Sequence, residues 1–483
     1  MKRFPLFAVM LALLASLPSY AIGTRTHAEI GMRCIEEYLL GADAMLPGLG
    51  TMFAPMENRR ILYRACAFPD WGYGGINPDA GEASHWHPFN KAWASLLSDR
   101  HYTMPPNEDG QKELAYFLGA ICHDIADIPW HFSHGSDKSF LQMSNDLDHA
   151  SHLDTEMGVD FDRYTQHPFR HISYLSNFVP FDTIFAAMQR ANVHATREQL
   201  QNGITREHLI LWFGPVVAEF LAKERRDALP WCMAHIEDYY YGGMRHDTAA
   251  CAMWVRYWYA EILGAHCLQQ MPLYFDNPKP NADYVPYLGV ADTTLLERLP
   301  ENNAGLEPIL EVGGPAGDRR AALLRFDLGG IPQDKPVRKA TLWLASAGPV
   351  NDAQAGPVSI SVAPAPAAWQ EGTGVSDPYN GINGRTAEPA EAKWKDVPVT
   401  QTPNAIQTQL QNPAANQWMS VDVTPIVQAW IKDPGSNFGV ILRGTGESSA
   451  MGRLYSSQAF RADASGYCGG TRVAFRPMLI LLP

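Results

Sequence analysis

The hydrophobic period changes once along this chain, and that change divides it into two units of different fold class. From Thr26 to about Cys267 apolar residues recur at helical spacing, as in HAEIGMRCIEEYLL, KELAYFLGAICHDIADI, HLILWFGPVVAEFLAKE and TAACAMWVRYWYAEILGA. Beyond that point short runs alternate with period two, among them AALLRFDL, KATLWLAS, PVSISVAP, WMSVDVT, NFGVILRG and RPMLILLP, each bounded by Gly, Pro or Asn. The expected fold class is therefore multidomain, a mainly α-helical domain followed by an antiparallel β-sandwich, with one short helix at TPIVQAWIKD. A total of 483 residues exceeds what one hydrophobic core holds. The segment 271–286, with Pro272, Pro278, Pro280 and Pro286, reads as the linker, so the domains are expected at 22–270 and 287–483.

The two halves also differ chemically. All 16 histidines lie between His27 and His266. Residues 276–483 hold 17 Lys+Arg against 20 Asp+Glu, which leaves −10 of the total charge of −13 in the first half. An acidic, histidine-rich half has the composition of a metal site, and the acidity excludes a surface that wraps nucleic acid or holds anionic lipid by charge alone. No stable nucleic-acid partner is expected.

Lys2 and Arg3 precede an apolar run from Leu6 to Leu17, then Pro18 and a small-x-small ending at Ser19-Tyr20-Ala21. This reads as a signal peptide over 1–21, giving a secreted or periplasmic protein whose mature chain starts at Ile22. The run is too short to span a membrane, and no transmembrane span is expected elsewhere. In an oxidising compartment the seven cysteines, Cys34, Cys66, Cys122, Cys232, Cys251, Cys267 and Cys468, allow up to three disulfides of unreadable connectivity. None forms a CxxC pair, which argues against a thiolate zinc site.

The chemistry concentrates in AICHDIADIPWHF. There His123, Asp127 and His131 are spaced i, i+4, i+8, within about 80° of one another on a helix face. Pro129 is expected to kink or end that helix near Ile125 to Pro129. His152 and Glu156 in SHLDTE repeat the i, i+4 spacing. Either pair alone is more often a solvated surface pair; together they supply five imidazole and carboxylate groups of the kind zinc accepts. Asp70 in FPDWGYG, His85 in SHWHPF and His27 near the expected new N-terminus are further candidates, although each alone fits a turn, surface or helix-start role equally well.

The order THAEIG, FPDW, SHWHPF, HDIADIPWH and HLDTE resembles the zinc-dependent phospholipase C and single-strand nuclease superfamily, most closely the catalytic domain of the glycosylphosphatidylinositol-specific phospholipase D branch, over roughly 22–267. The resemblance implies two to three zinc ions. Asp70, His85, His123 and Asp127 would hold one, and His131, His152 and Glu156 a second. The Ile22 amine and carbonyl with His27 would hold the third, bridged by Asp127. It further implies a phosphoric diester hydrolase in which metal-bound hydroxide attacks in line, with Asp70 as catalytic base and a phospholipid or glycosylphosphatidylinositol as substrate. In well-known members the first mature residue is Trp, where this chain has Ile22. Trp71, Trp86 and Trp130 flank ligands and either line a headgroup pocket or pack the core. Asp124 and Asp154 lie off the ligand stripe, which suits supporting or solvent-facing roles.

In the second half ADTTL, ALLRFDL, KATLWL, AWQEGTG, VDVTPIVQAW and NFGVILRG resemble DNRLRE-type β-sandwich domains related to carbohydrate-binding modules. That resemblance implies attachment to polysaccharide or a cell surface, with Trp369, Trp394 and Trp430 either stacking on sugars or filling the core. Two other functions stay open on sequence: a single-strand nuclease or nucleotidase of the same superfamily, and a glycan-binding adhesin with a metal-stabilised scaffold.

Overall fold

The computed structural model describes residues 23–133, 137–166, 176–271, 289–333, 336–349, 356–374, 386–397, 405–411, 414–445, 450–459 and 470–483. The signal-peptide segment, Ile22, Cys468 and most of the expected linker lie outside them. The chain divides into a helical unit and a β unit.

In the helical unit the two longest helices start where the sequence provides a cap. Asn107 accepts the Gly110 N–H at 2.9 Å ahead of Glu108–His131, with Glu108 and Asp109 in the first turn. Thr196 and Gln199 form a reciprocal capping box at the start of Arg197–Ala228. A kink or an end was expected near Pro129, and the helix Glu108–His131 runs on past it to His131. Pro129 sits in the last turn, and the Phe132 N–H still reaches the Ile128 carbonyl at 2.8 Å. His123, Asp127 and His131 therefore stay on one helix.

The apolar faces of Glu108–His131, Met56–Ala65 and Met244–Ile262 meet. Trp71, Trp93, Trp130 and Trp254 are fully buried, so two of the three tryptophans that flank ligands are core residues. Among the described residues no helix is long and apolar enough to cross a membrane. The six described cysteines are all buried, and no disulfide of the expected framework forms among them.

The β unit contains strands β1 (His266–Gln269), β2 (Val290–Leu296), β3 (Ile309–Gly313), β4 (Arg320–Phe326), β5 (Lys339–Ala345), β6 (Val358–Pro364), β7 (Ile406–Leu410), β8 (Trp418–Asp422), β9 (Val440–Gly444), β10 (Met451–Tyr455) and β11 (Met478–Leu482). They form a four-stranded sheet in the order β1-β11-β5-β8 and a seven-stranded sheet in the order β10-β3-β4-β9-β6-β7, with β2 paired to β4. Every pairing between these strands is antiparallel. Leu342, Leu344, Leu479 and Leu481 of the first sheet and Leu310, Leu324, Ile360 and Leu442 of the second share one core, closed by Val427 and Trp430 of the short helix Thr424–Lys432. Trp430 is thus a core residue. Trp369 is buried in a smaller cluster with Leu323 and Ile441, and Trp394 is half-buried against it. Strand β1 precedes the expected linker and belongs to the β unit.

Candidate metal centre

Five stretches bring the site together. The turn Phe68–Gly72 carries Asp70, and its Trp71 Nε1 donates to Ser84 Oγ at 3.0 Å, tying the turn to the helix Pro78–Ser84 that ends at His85. The His85 Nδ1 then meets the Gly81 carbonyl at 2.9 Å. His123 Nδ1 meets the Cys66 carbonyl at 2.7 Å. Each contact fixes an imidazole through one nitrogen and leaves the other for the centre, the usual arrangement around a metal.

Asp127 is the hub. Its Oδ1 stands 3.2 Å from His27 Nε2 and 3.6 Å from His131 Nε2, and its Oδ2 stands 3.4 Å from His123 Nε2 and 3.7 Å from His85 Nε2. Asp70 Oδ1 lies 3.4 Å from His85 Nε2 and 3.8 Å from His123 Nε2. On the far side Glu156 Oε1 lies 2.5 Å from His152 Nε2 and 3.6 Å from His131 Nε2. Three groups have donor atoms within 4.8 Å of one another: His27, His123 and Asp127; Asp70, His85 and His123; His131, His152 and Glu156. Every candidate ligand among the described residues is therefore in the cluster, and only Ile22 falls outside the description.

The protonation behaviour follows from burial and from these neighbours. Burial and the adjacent His123 push His27 down to about 4, and burial with His131 pushes His152 down to about 4. Burial opposes a charge on His85, yet the carboxylates of Asp70 and Asp127 outweigh it and push that imidazole up to about 10. Burial acts against ionised Asp127 too, but His123 and His27 hold it well below the usual carboxylate range. Glu156 is pushed well above it by burial and by the charges of Asp127 and Asp70.

Many polar atoms here have no hydrogen-bond partner although they are buried: both ring nitrogens of His27, Asp70 Oδ1, Asp127 Oδ1, His131 Nε2 and Glu156 Oε2. Such atoms cost about 1–3 kcal/mol each when left bare. Their convergence, and their mixture of imidazole and carboxylate, fit zinc ions as the missing partners.

Sequence reasoning missed the residues that hold the ligands. Asp160 extends the series His152, Glu156 by another i+4 step, and its carboxylate accepts the N–H of Arg25 at 3.2 Å, the N–H of Thr26 at 2.8 Å and the Thr26 hydroxyl at 2.8 Å. It thereby caps the helix Thr24–Arg33 that carries His27. A Cβ at Gly23 would stand 1.9 Å from Asp160 Cγ, so only glycine lets the chain enter that helix. Continuing a ligand stripe by one more turn is the signal that finds Asp160. Asp124 is buried and accepts from Asn90 Nδ2 at 2.6 Å, whereas Asp154 lies at the surface with Arg225 and Ser151. Beside the cluster a cavity of about 780 Å³ is lined by Tyr73, Glu82, Trp86, Phe132 and Leu141 together with His85, Asp127, His131 and His152. Glu82 accepts from both the Tyr73 hydroxyl, at 2.8 Å, and Trp86 Nε1, at 3.0 Å, which fixes the two aromatic walls.

The helical unit thus gathers three groups of imidazoles and carboxylates that could each hold a metal ion. Residues 26–227 match the family model for zinc dependent phospholipase C, in agreement with the resemblance carried by the ordered motifs. The chain is also 27% identical over 221 residues to the phosphatidylinositol-glycan-specific phospholipase D of Dictyostelium discoideum, covering 43% of this chain and 22% of that protein. To the human protein of the same name it is 25% identical over 273 residues, covering 50% of this chain and 30% of the relative. The chain thus spans less than a third of the length of these curated relatives.

Proposed function

We propose that the helical unit is a zinc-dependent phosphoric diester hydrolase that acts on phospholipid or glycosylphosphatidylinositol headgroups, as a phospholipase of C or D type. The observation that carries this reading is Asp127, whose two oxygens face the imidazoles of His27, His85, His123 and His131 at 3.2–3.7 Å. Asp70, His85, His123 and Asp127 would hold one zinc and His131, His152 and Glu156 a second, while His27 and Asp127 with the Ile22 amine and carbonyl would hold a third. Zinc in such a site neutralises a phosphodiester and lowers the pKa of water toward ~7.

The chain's own residues do the rest. Asp70 orients the attacking water and accepts its proton, its carboxylate standing 3.4 Å from His85. The bonds from His85 and His123 to main-chain carbonyls keep both rings in place as charge develops. Tyr73, Trp86 and Phe132 wall the cavity beside the cluster and receive the headgroup. The 1–21 leader supports export, and the sandwich, which has a cavity of about 500 Å³ bordered by Arg325, Trp369, Gln370 and Lys393, supports attachment to polysaccharide or a cell surface.

The test is product analysis on mixed phospholipids, a glycosylphosphatidylinositol anchor and single-stranded DNA, with and without chelator. Chelator-sensitive release of headgroup from either lipid supports the reading. Cleavage confined to DNA would replace it with the nuclease.

A further inference from the structure

The helix Arg197–Ala228 is apolar on two opposite faces along its middle, and only one of them is covered. The inward face packs on the elements of the metal centre. A Cβ at Gly203 would stand 2.1 Å from the Trp71 carbonyl oxygen, so the helix lies directly on the turn that carries Asp70. Val217, Ala218 and Ala222 pack with Phe161 and Tyr164 of His152–Gln166, the helix that carries His152 and Glu156. Arg206 donates to the Tyr73 carbonyl, and Tyr73 lines the cavity beside the cluster, so this helix also supports one wall of that cavity.

A helix packed on one side is expected to be polar on the other, and this one is not. Leu209 is 48% exposed, Trp212 49%, Val216 45% and Phe220 61%. Their spacing puts all four within about 80° of one another, in a stripe about 16 Å long. The half-buried Phe213 meets the Trp212 ring edge to face at 4.7 Å and widens the stripe. No residue from Leu209 to Ala218 is charged, and Glu219 is the one charge between His208 and Lys223. The stripe begins three residues beyond Arg206, about 4.5 Å along the helix axis, and so starts beside the cavity. Single exposed apolar residues are ordinary, whereas a contiguous row with two large aromatics marks a docking surface.

We propose that Leu209, Trp212, Val216 and Phe220 seat the helical unit on the surface of a neutral, zwitterionic phospholipid bilayer. The proposal rests on the phospholipase reading, in which the enzyme must meet its substrate at a lipid surface. Position and charge select this occupant. The stripe adjoins the cavity that receives the headgroup, so a bilayer seated on it lies next to the site. A net charge of −13 opposes an anionic membrane, and the uncharged run Leu209–Ala218 offers nothing for a partner's charges to pair with. One row of four side chains is also far smaller than the roughly 800 Å² per partner of a stable protein interface. Trp and Phe suit the boundary between headgroups and acyl chains, where the rings are buried and the indole N–H stays hydrated.

The test compares the full zinc-loaded chain with its Leu209→Gln/Trp212→Gln double variant, which alters only exposed positions. Flotation with phosphatidylcholine vesicles reads docking. Hydrolysis of the lipid that the product analysis identifies, in vesicles and as a short-chain monomer, reads chemistry. The wild type should float as well at raised salt and no better when phosphatidylserine is added, and the variant should partition at least about tenfold less. Hydrolysis in vesicles should fall in proportion, while hydrolysis of the monomeric lipid and the melting temperature stay unchanged. A wild type that does not float, or a variant that floats equally well, would overturn the proposal. So would a wild-type dimer that the variant fails to form, since that assigns the face to a second copy. Flotation lost in the variant while neither protein cleaves any lipid would support the docking face and overturn the phospholipase reading alone.

Discussion

The Asp160 carboxylate accepts both the backbone N–H and the hydroxyl of Thr26 at 2.8 Å, and so the helix that carries Glu156 also fixes the start of the helix that carries His27. Truncation should therefore be costly. Asp160→Ala removes the acceptor that the Arg25 N–H, the Thr26 N–H and the Thr26 hydroxyl share, and should lower stability by about 2 kcal/mol, measured by urea denaturation at pH 7.

The same residue yields a pH dependence of definite sign. Burial is the largest influence on Asp160, and despite its three donors it pushes the carboxyl up to about 6 from the ordinary 3.8. Between those values the folded state binds the proton more readily than the unfolded one. Its contribution is thus fully present below pH ~3.8 and is lost as pH rises through about 6. Asp160→Asn keeps an acceptor and has no proton to lose. The stability of the wild type relative to Asp160→Asn should fall between pH 4 and pH 7, as read from urea melts across that range. A constant difference would show that Asp160 does not titrate there.

The six described cysteines are all buried with no disulfide among them, and Cys122 lies against Cys34, Cys66 and Cys251 in the helical core. Burial pushes the thiols of Cys34 and Cys251 well above their ordinary pKa, which keeps them unreactive. Native protein should therefore leave these six unreacted with a thiol reagent, and the same protein unfolded without reductant should titrate seven, the six and Cys468. Two fewer thiols in the unfolded sample would reveal a disulfide.

The change from helical to alternating period gave both fold classes, because periodicity reports burial directly. The ligand stripe of His123, Asp127 and His131 was legible for the same reason. Pro129 misled the reading of where that helix ends, since the helix continues past it to His131. Disulfides were a compartment argument, and core packing of small thiols satisfies the same residues without oxidation. Asp160, Glu82 and Asn90 were not legible: what they do depends on contacts 34 to 134 residues away for Asn90 and Asp160, and on which aromatic edges face Glu82. The position of β1 was hidden as well, because four residues before a proline-rich stretch carry too little pattern to separate from the helical unit.

Metal content should grade with position in the cluster. Asp127 faces four imidazoles from the interior, whereas His152 stands at the rim with a side chain 39% exposed. Asp127→Ala should thus reduce bound zinc by more than one ion per chain and abolish diester hydrolysis, while His152→Ala should lose about one ion at most. His123→Ala should resemble Asp127→Ala, since His123 stands in two of the three groups. Elemental analysis of the purified variants decides this, and equal zinc in wild type and Asp127→Ala would remove the basis for the site.

The boundary between the units has a consequence for any fragment of the β unit. Strand β1 pairs with β11 from His266↔Leu481 to Gln269↔Met478, and β11 in turn pairs with β5, so β1 is the strand that covers one edge of the four-stranded sheet. Leu268 of β1 also reaches the shared core of the sandwich. A fragment beginning at residue 271 would expose the β11 edge, lose the burial of Leu268 and leave apolar residues of β11 next to unpaired main-chain groups, a template for association. A fragment of 264–483 keeps all of these contacts. The longer fragment should therefore be monomeric and melt several degrees higher, and the shorter one should self-associate in light scattering. Equal melting and equal monomer content would mean that β1 contributes nothing to the sheet that it borders.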